Sequence, residues 1–126
     1  MQVFKTKWLA RFAKHEGIAD ASLHEAIARA KRGLVDADLG GGLIKQRVAR
    51  RGKGRSGGYR MLIAYRLMNR AVFLYGFAKN ERDNISSDEL LTAREIASSW
   101  LAADAKQIAH ALAEGELQEV PNDEDA

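Results

Sequence analysis

Seven basic residues and no acidic one fall between Lys45 and Arg60: Lys45, Arg47, Arg50, Arg51, Lys53, Arg55 and Arg60. Gly52, Gly54, Gly57 and Gly58 interrupt the run. Glycines let backbone amides approach an anion closely, and a guanidinium offers phosphate oxygens a planar fork of donors, so the stretch reads as a phosphate or RNA site. If Leu43 to Arg50 is extended, period-two alternation puts Lys45 and Arg47 on one face, and a strand from Tyr59 brings Arg60 beside them. With RNA as the polymer, such a set can do more than bind. The ribose 2′-hydroxyl attacks its own phosphate once it is aligned and deprotonated, provided the pentavalent phosphorane is held by cations and the leaving oxygen is protonated. A lysine crowded by other cations becomes a more useful base, and DNA, which lacks the 2′-hydroxyl, is spared.

Other chemistries find less support. Gly52, Gly54 and Gly57 satisfy the GxGxxG spacing of dinucleotide folds, but that loop follows a strand and opens a helix, whereas this one precedes a strand. A length of 126 residues leaves no room for the rest of a kinase. His15, His24 and His110 fall on three different expected helices without ligand spacing, and there is no cysteine, so neither metal nor other cofactor is expected. Ser56 lacks an identifiable base, which argues against an acyl-enzyme.

The charge balance supports the same partner class. Twenty Lys and Arg face seventeen Asp and Glu, but six acids (Glu114, Glu116, Glu119, Asp123, Glu124 and Asp125) close the sequence, leaving residues 1–113 with nine surplus positive charges. A body of that sign attracts phosphate polymers through counterion release. Cysteine-free composition suits a reducing compartment, and no window approaches the roughly 18 apolar residues of a membrane span. A cytoplasmic protein with no membrane partner is expected.

The elements that must position the basic stretch can be read from periodicity. Gln2 to Phe4 suggests an edge strand, and Trp8, Leu9 and Phe12 a helix from Thr6 to His15 that stops at Gly17. Leu23, Ile27 and Ala30 form the stripe of a second helix, opened at Asp20 or by a Ser22–Glu25 capping box. Leu43–Arg50, Tyr59–Leu67 and Ala71–Ala78 read as three antiparallel strands. Ser86 and Glu89 box the start of a helix to Ala102, with Leu90, Ala93, Ala97, Trp100 and Leu101 inward. A last helix from Asp104 turns Ile108, Ala109 and Leu112 inward and ends at Gly115. The expectation is α+β: a small antiparallel sheet with flanking helices, order βααβββαα, one face covered and the other open. Residues 1–115 form one domain, and 116–126 an acidic, disordered tail.

Gly57-Gly58-Tyr59-Arg60, followed by the string Tyr75-Gly76-Phe77-Ala78-Lys79-Asn80-Glu81-Arg82-Asp83-Asn84-Ile85, resembles a RelE/ParE superfamily toxin of the HigB-like subgroup, from bacterial type II toxin–antitoxin systems. Phe4–Trp8, Val35–Gly42 and Glu114–Val120 extend the resemblance over nearly the whole chain. It implies a RelE-like fold and a toxin that inhibits translation by cleaving mRNA in the ribosomal decoding site, without metal. It also implies that Arg60 acts on the scissile phosphate and that Lys45 and Arg47 are the pair of basic strand residues. Where RelE toxins carry an arginine acting as an acid toward the leaving group, this chain has Asn80, with Arg82 as a substitute. Where they carry a base-stacking tyrosine, it has Ser86, and Tyr75 or Lys79 are candidates for the vacated roles. The expected catalytic set is Lys45, Arg47, Arg60, Lys79 and Arg82, with RNA bound by Arg50, Arg51, Lys53, Arg55 and Tyr75. The superfamily also contains ParE, which poisons DNA gyrase without nuclease activity, and a noncatalytic RNA-binding regulator is a third reading. A cationic site invites an acidic partner, and a cognate helix–turn–helix antitoxin is expected beside mRNA on the ribosome, with apolar contact from Trp100 and the last helix.

Overall fold

Thr6 ends a strand and opens a helix within one residue: its hydroxyl accepts the Leu9 N–H at 3.1 Å and donates to the Leu74 carbonyl at 2.9 Å. The computed structural model describes residues 1–50, 54–79 and 85–121, and for residues 50 and 54–56 the backbone alone. Its elements are β1 (Gln2–Thr6), α1 (Lys7–Glu16), α2 (Asp20–Lys31), β2 (Ala37–Gly40), β3 (Leu43–Arg50), β4 (Gly54–Arg66), β5 (Arg70–Ala78), α3 (Ser87–Ala102), α4 (Ala105–Ala113) and β6 (Leu117–Glu119). The class is α+β, and the sheet runs β2-β3-β4-β5-β1-β6, antiparallel except where β1 lies parallel to β5.

Two short strands lengthen the expected order. β2 pairs with β3 where Gly40, Gly41 and Gly42 all turn through positive φ. β6 pairs with β1, so β1 lies inside the sheet and is not an edge. The expected tail from residue 116 is corrected by the same finding: Leu117 and Val120 are buried, and the Val120 N–H donates to the Val3 carbonyl at 2.9 Å. Their apolar side chains outweigh the acids between them. Residues 122–126 lie outside the described residues.

The open sheet face is also corrected, because helices cover both faces. Leu9 and Ala13 of α1 and Leu23, Ala26, Ile27 and Ala30 of α2 pack on Ile44, Val48, Met61, Ile63 and Phe73. On the other side Ala97 and Leu101 of α3 and Ile108 and Ala111 of α4 pack on Leu43, Leu62, Ala64, Val72 and Leu74. In α4, Ala111 takes the inward place expected of Ala109 and Leu112. Capping boxes at Ser86–Glu89 and Asp104–Gln107 fix where α3 and α4 begin. The expected Ser22–Glu25 box does not form, since Glu25 accepts Arg29 Nε at 2.9 Å and α2 begins without a side-chain cap.

Two details set the site's frame. Gln46, fully buried on β3, accepts the Asp36 N–H at 2.8 Å and donates to the carbonyls of Ala26 at 2.9 Å and Leu34 at 3.2 Å, tying the α2–β2 connection to the sheet. On β5 a bulge breaks the alternation: Leu62 faces Tyr75 while Ile63 faces Phe73, leaving Leu74 as the extra residue.

Candidate functional site

The bulge decides which face Tyr75 occupies. Ala71 and Phe73 point toward α1 and α2, and strict alternation would send Tyr75 with them. The extra residue instead turns Tyr75 toward the α3 side, beside Leu62 and Leu74. Register then lays out two rows on that face. One runs Lys45, Leu62, Tyr75 and the next Arg47, Arg60, Phe77. Rows on one face lie roughly 7 Å apart and strands about 5 Å apart. Lys79, exposed just past β5, comes one alternation beyond Phe77, where its N–H donates to the Gly58 carbonyl at 3.1 Å. The structure thus brings together Lys45, Arg47, Arg60 and Tyr75, with Lys79 at the far end. Arg50 and Arg55 sit on the β3 and β4 backbone near the hairpin that joins them, with side chains outside the description. Arg51, Lys53 and Arg82 lie outside the described residues.

Arg60 is the unusual member. Only 8% exposed, it has a buried Nη1 that finds no hydrogen-bond partner among the described residues. Arg47 stands directly opposite on β3. Like charges at facing positions repel, and a buried cation without a partner is costly. Arg47 is only loosely compensated, its Nε 3.8 Å from Asp36, whose other oxygen accepts the Arg47 N–H at 2.6 Å. Among the described residues Lys45, Arg60 and Lys79 make no ion pair. Chemically the arrangement can receive an anion: an oxyanion between Arg47 and Arg60 would satisfy the orphan donor and separate the two charges.

Other arginines serve the fold. Arg29 bonds Glu25 and the Arg47 carbonyl, Arg94 donates to the Leu39 carbonyl at 2.6 Å, and Arg66 and Arg70 donate to the carbonyls of Leu101, Trp100 and Ala103 at the end of α3. Donors near a helix C-terminus satisfy carbonyls left without intrahelical partners. One group with a shifted titration also lies outside the site. The Tyr65 phenol lies above its ordinary value of 10.0 because burial disfavours the phenolate.

A family described as the RelE toxin of the RelE / RelB toxin-antitoxin system matches residues 1–120. The chain belongs to the RelE toxin family. No curated protein matches it. For a RelE toxin the partner class is an antitoxin, and toxins of this family generally inhibit translation. No helix among the described residues is long and apolar enough to cross a membrane.

In this RelE toxin one aromatic residue near the site escaped the sequence reading. Trp8 is 44% exposed, with its ring centroid 4.2 Å from that of Tyr75 and 5.2 Å from that of Phe12. Grouping Trp8 with Leu9 and Phe12 hid this, because adjacent helical residues point about 100° apart and Leu9 takes the core. The signal was the neighbouring pair itself.

Proposed function

We propose that this RelE-family toxin is an endoribonuclease that cleaves mRNA on the ribosome, using the cationic face of β3, β4 and β5 without a metal. The observation that carries the reading is the buried Arg60 Nη1, without a hydrogen-bond partner among the described residues, on a strand position facing Arg47. Arg47 and Arg60 hold the non-bridging oxygens of the scissile phosphate, and their attraction grows as charge accumulates on the phosphorane.

In-line displacement requires the attacking and leaving oxygens on opposite sides of phosphorus, and the rows supply groups on both sides. Lys45, one row toward Tyr75, takes the proton of the 2′-hydroxyl as its oxygen bonds to phosphorus. Lys79, one row the other way, returns a proton to the 5′-oxygen as the P–O5′ bond breaks. The products are a 2′,3′-cyclic phosphate and a 5′-hydroxyl, with no net change in protons. Arg82 is a further candidate acid, Tyr75 contacts a base, and Arg50, Arg51, Lys53 and Arg55 hold flanking phosphates. The antitoxin is a helix–turn–helix protein whose acidic segment neutralises the same face.

Cleavage of mRNA on translating ribosomes by wild type and Arg60→Ala tests the reading. Cuts that end in a cyclic phosphate and vanish in the variant support it. Intact mRNA together with blocked DNA supercoiling would replace it with a gyrase poison, and salt-sensitive RNA binding without cutting would replace it with a regulator.

A further inference from the structure

Between the first turn of α1 and the first half of α3 lies a cavity of about 530 Å³, mostly apolar, walled by Trp8, Tyr75, Leu62, Leu74 and Ile96 and edged by Asp88, Glu89 and Thr92. We infer that this cavity seats an unstacked RNA base, with Trp8 as its stacking surface, next to the phosphate held by Arg47 and Arg60. The inference rests on the reading of the cationic face as an RNA site and names the part of the substrate that a phosphate site alone does not recognise.

Three observations converge on a base. Trp8 is nearly half exposed, held in place by ring contacts with Tyr75 and Phe12, and lines the cavity, so a fixed and partly solvent-facing indole stands at its wall, the kind of surface that bases pack against. Tyr75, the wall it touches, is the diagonal neighbour of Arg60, one row along and one strand across. That step of about 8 Å by sheet spacing matches the reach of a single nucleotide from phosphate to base. Charge then sorts the two ends. The Asp88 carboxylate at the rim repels a phosphate, which the cationic rows attract, but accepts from an exocyclic amino group. The pocket therefore favours adenine, guanine and cytosine over uracil, which has no such amine. Its volume lies in the range of small-molecule sites and accommodates a purine.

The chain has two tryptophans, Trp8 and Trp100, so Trp100→Phe leaves Trp8 as the single fluorescent reporter. The probes are a fully 2′-O-methylated RNA hexamer that cannot be cut, the same strand made abasic, and inorganic polyphosphate of equal charge. The base-bearing strand should quench Trp8 and bind about tenfold more tightly than the abasic strand, in keeping with the stacking contribution of one base. Trp8→Ala should lose that advantage while keeping its affinity for polyphosphate, and Trp8→Phe should recover most of it, which a merely structural defect would not allow. A poly-uridine version should bind more weakly than a poly-cytidine one. Equal binding of base-bearing and abasic strands without quenching overturns the inference, as does quenching by the purified antitoxin alone, which would make the cavity a protein-docking site. Because the probe is uncleavable, the two readings separate. Quenching in a protein that never cuts mRNA defeats the nuclease and leaves the pocket, whereas full cleavage by Trp8→Ala defeats the pocket and leaves the nuclease.

Discussion

Replacing Arg60 with methionine should make the protein more stable and less active at once. Methionine keeps most of the aliphatic length against Phe77 and removes the buried Nη1 that has no partner among the described residues. A buried unsatisfied polar group costs about 1–3 kcal/mol, and the facing Arg47 adds repulsion of roughly 0.2–1 kcal/mol. Allowing for imperfect repacking, a net gain of about 1–2 kcal/mol is expected, which near the midpoint is a Tm increase of roughly 4–8 °C for a chain of this size. Cleavage should move the other way. Removing one preorganised donor to a developing oxyanion typically lowers the rate about 10²–10³-fold. Thermal melts in low-phosphate buffer, paired with single-turnover cleavage of ribosome-bound mRNA, read both quantities on the same preparation. A variant that melts lower than wild type and cuts normally would refute the reasoning, because Arg60 would then be a structural arginine like Arg66 and Arg70.

Three further outcomes probe the frame around the site. Gln46→Leu strands the Asp36 N–H and two carbonyls, so denaturant melts should show a loss of about 3 kcal/mol, more than an exposed polar change on the same strand. Gly42→Ala places a Cβ 2.5 Å from Leu101 Cδ1 at a φ of 85°, and a loss of roughly 2 kcal/mol should appear as a lower Tm with an unchanged circular dichroism spectrum. In Tyr65→Phe the phenol held above 10.0 by burial is gone. The neutral phenol's contribution is present below pH 10 and is lost as pH rises through its folded value, so the variant should lose less stability than wild type above that pH and none at pH 7. Urea titrations at pH 7 and at several alkaline values measure the difference, and parallel curves would show that Tyr65 is not the group responsible.

Helices were legible where local signals agree. The apolar stripe of Leu23, Ile27 and Ala30, the Ser86–Glu89 box and the helix start at Asp104 are local signals, whereas the Ser22–Glu25 spacing misled because Glu25 engages Arg29 one turn on. β6 was obscured by composition: Glu114, Glu116 and Glu119 suggest a solvated end, while the alternation that buries Leu117 spans only three residues and acquires meaning from the β1 edge it pairs with. The second covered face was hidden for a related reason. Leu43, Leu62 and Val72 sit between residues of the opposite cluster, and strands buried on both sides lose the clean polar alternation that would have announced two layers. At the site, the period of two places Lys45 and Arg47 on one face, and the strand that begins at Tyr59 brings Arg60 beside them. The burial of Arg60 could not be read this way, since it depends on what packs around the strand and not on the strand's own sequence.

The position of Tyr75 shows most directly how tertiary structure overrides the pattern. A run of Ala71, Phe73, Tyr75 and Phe77 reads as one apolar face, and on a regular strand all four would lie beneath α1 and α2. β1 pairs with β5 only as far as Phe73, and beyond that point α1 replaces the neighbouring strand. There Thr6 takes the Leu74 carbonyl, as a strand partner would. Phe12 presses against Gly76, where a Cβ would come within 3.0 Å of its ring and 2.6 Å of Met61 Sδ. That crowding leaves no room for a large side chain on the α1 face at this level of β5. The bulge at Leu74 resolves the conflict by presenting glycine to Phe12 and transferring Tyr75 and Phe77 to the opposite face. The same one-residue shift therefore closes the core and assembles the aromatic side of the cationic face. A strand that kept Leu74 in regular alternation would have to bring Tyr75 and Phe77 back beneath α1 and leave Arg60 without its aromatic neighbours, so packing and the proposed RNA site depend on the same irregularity.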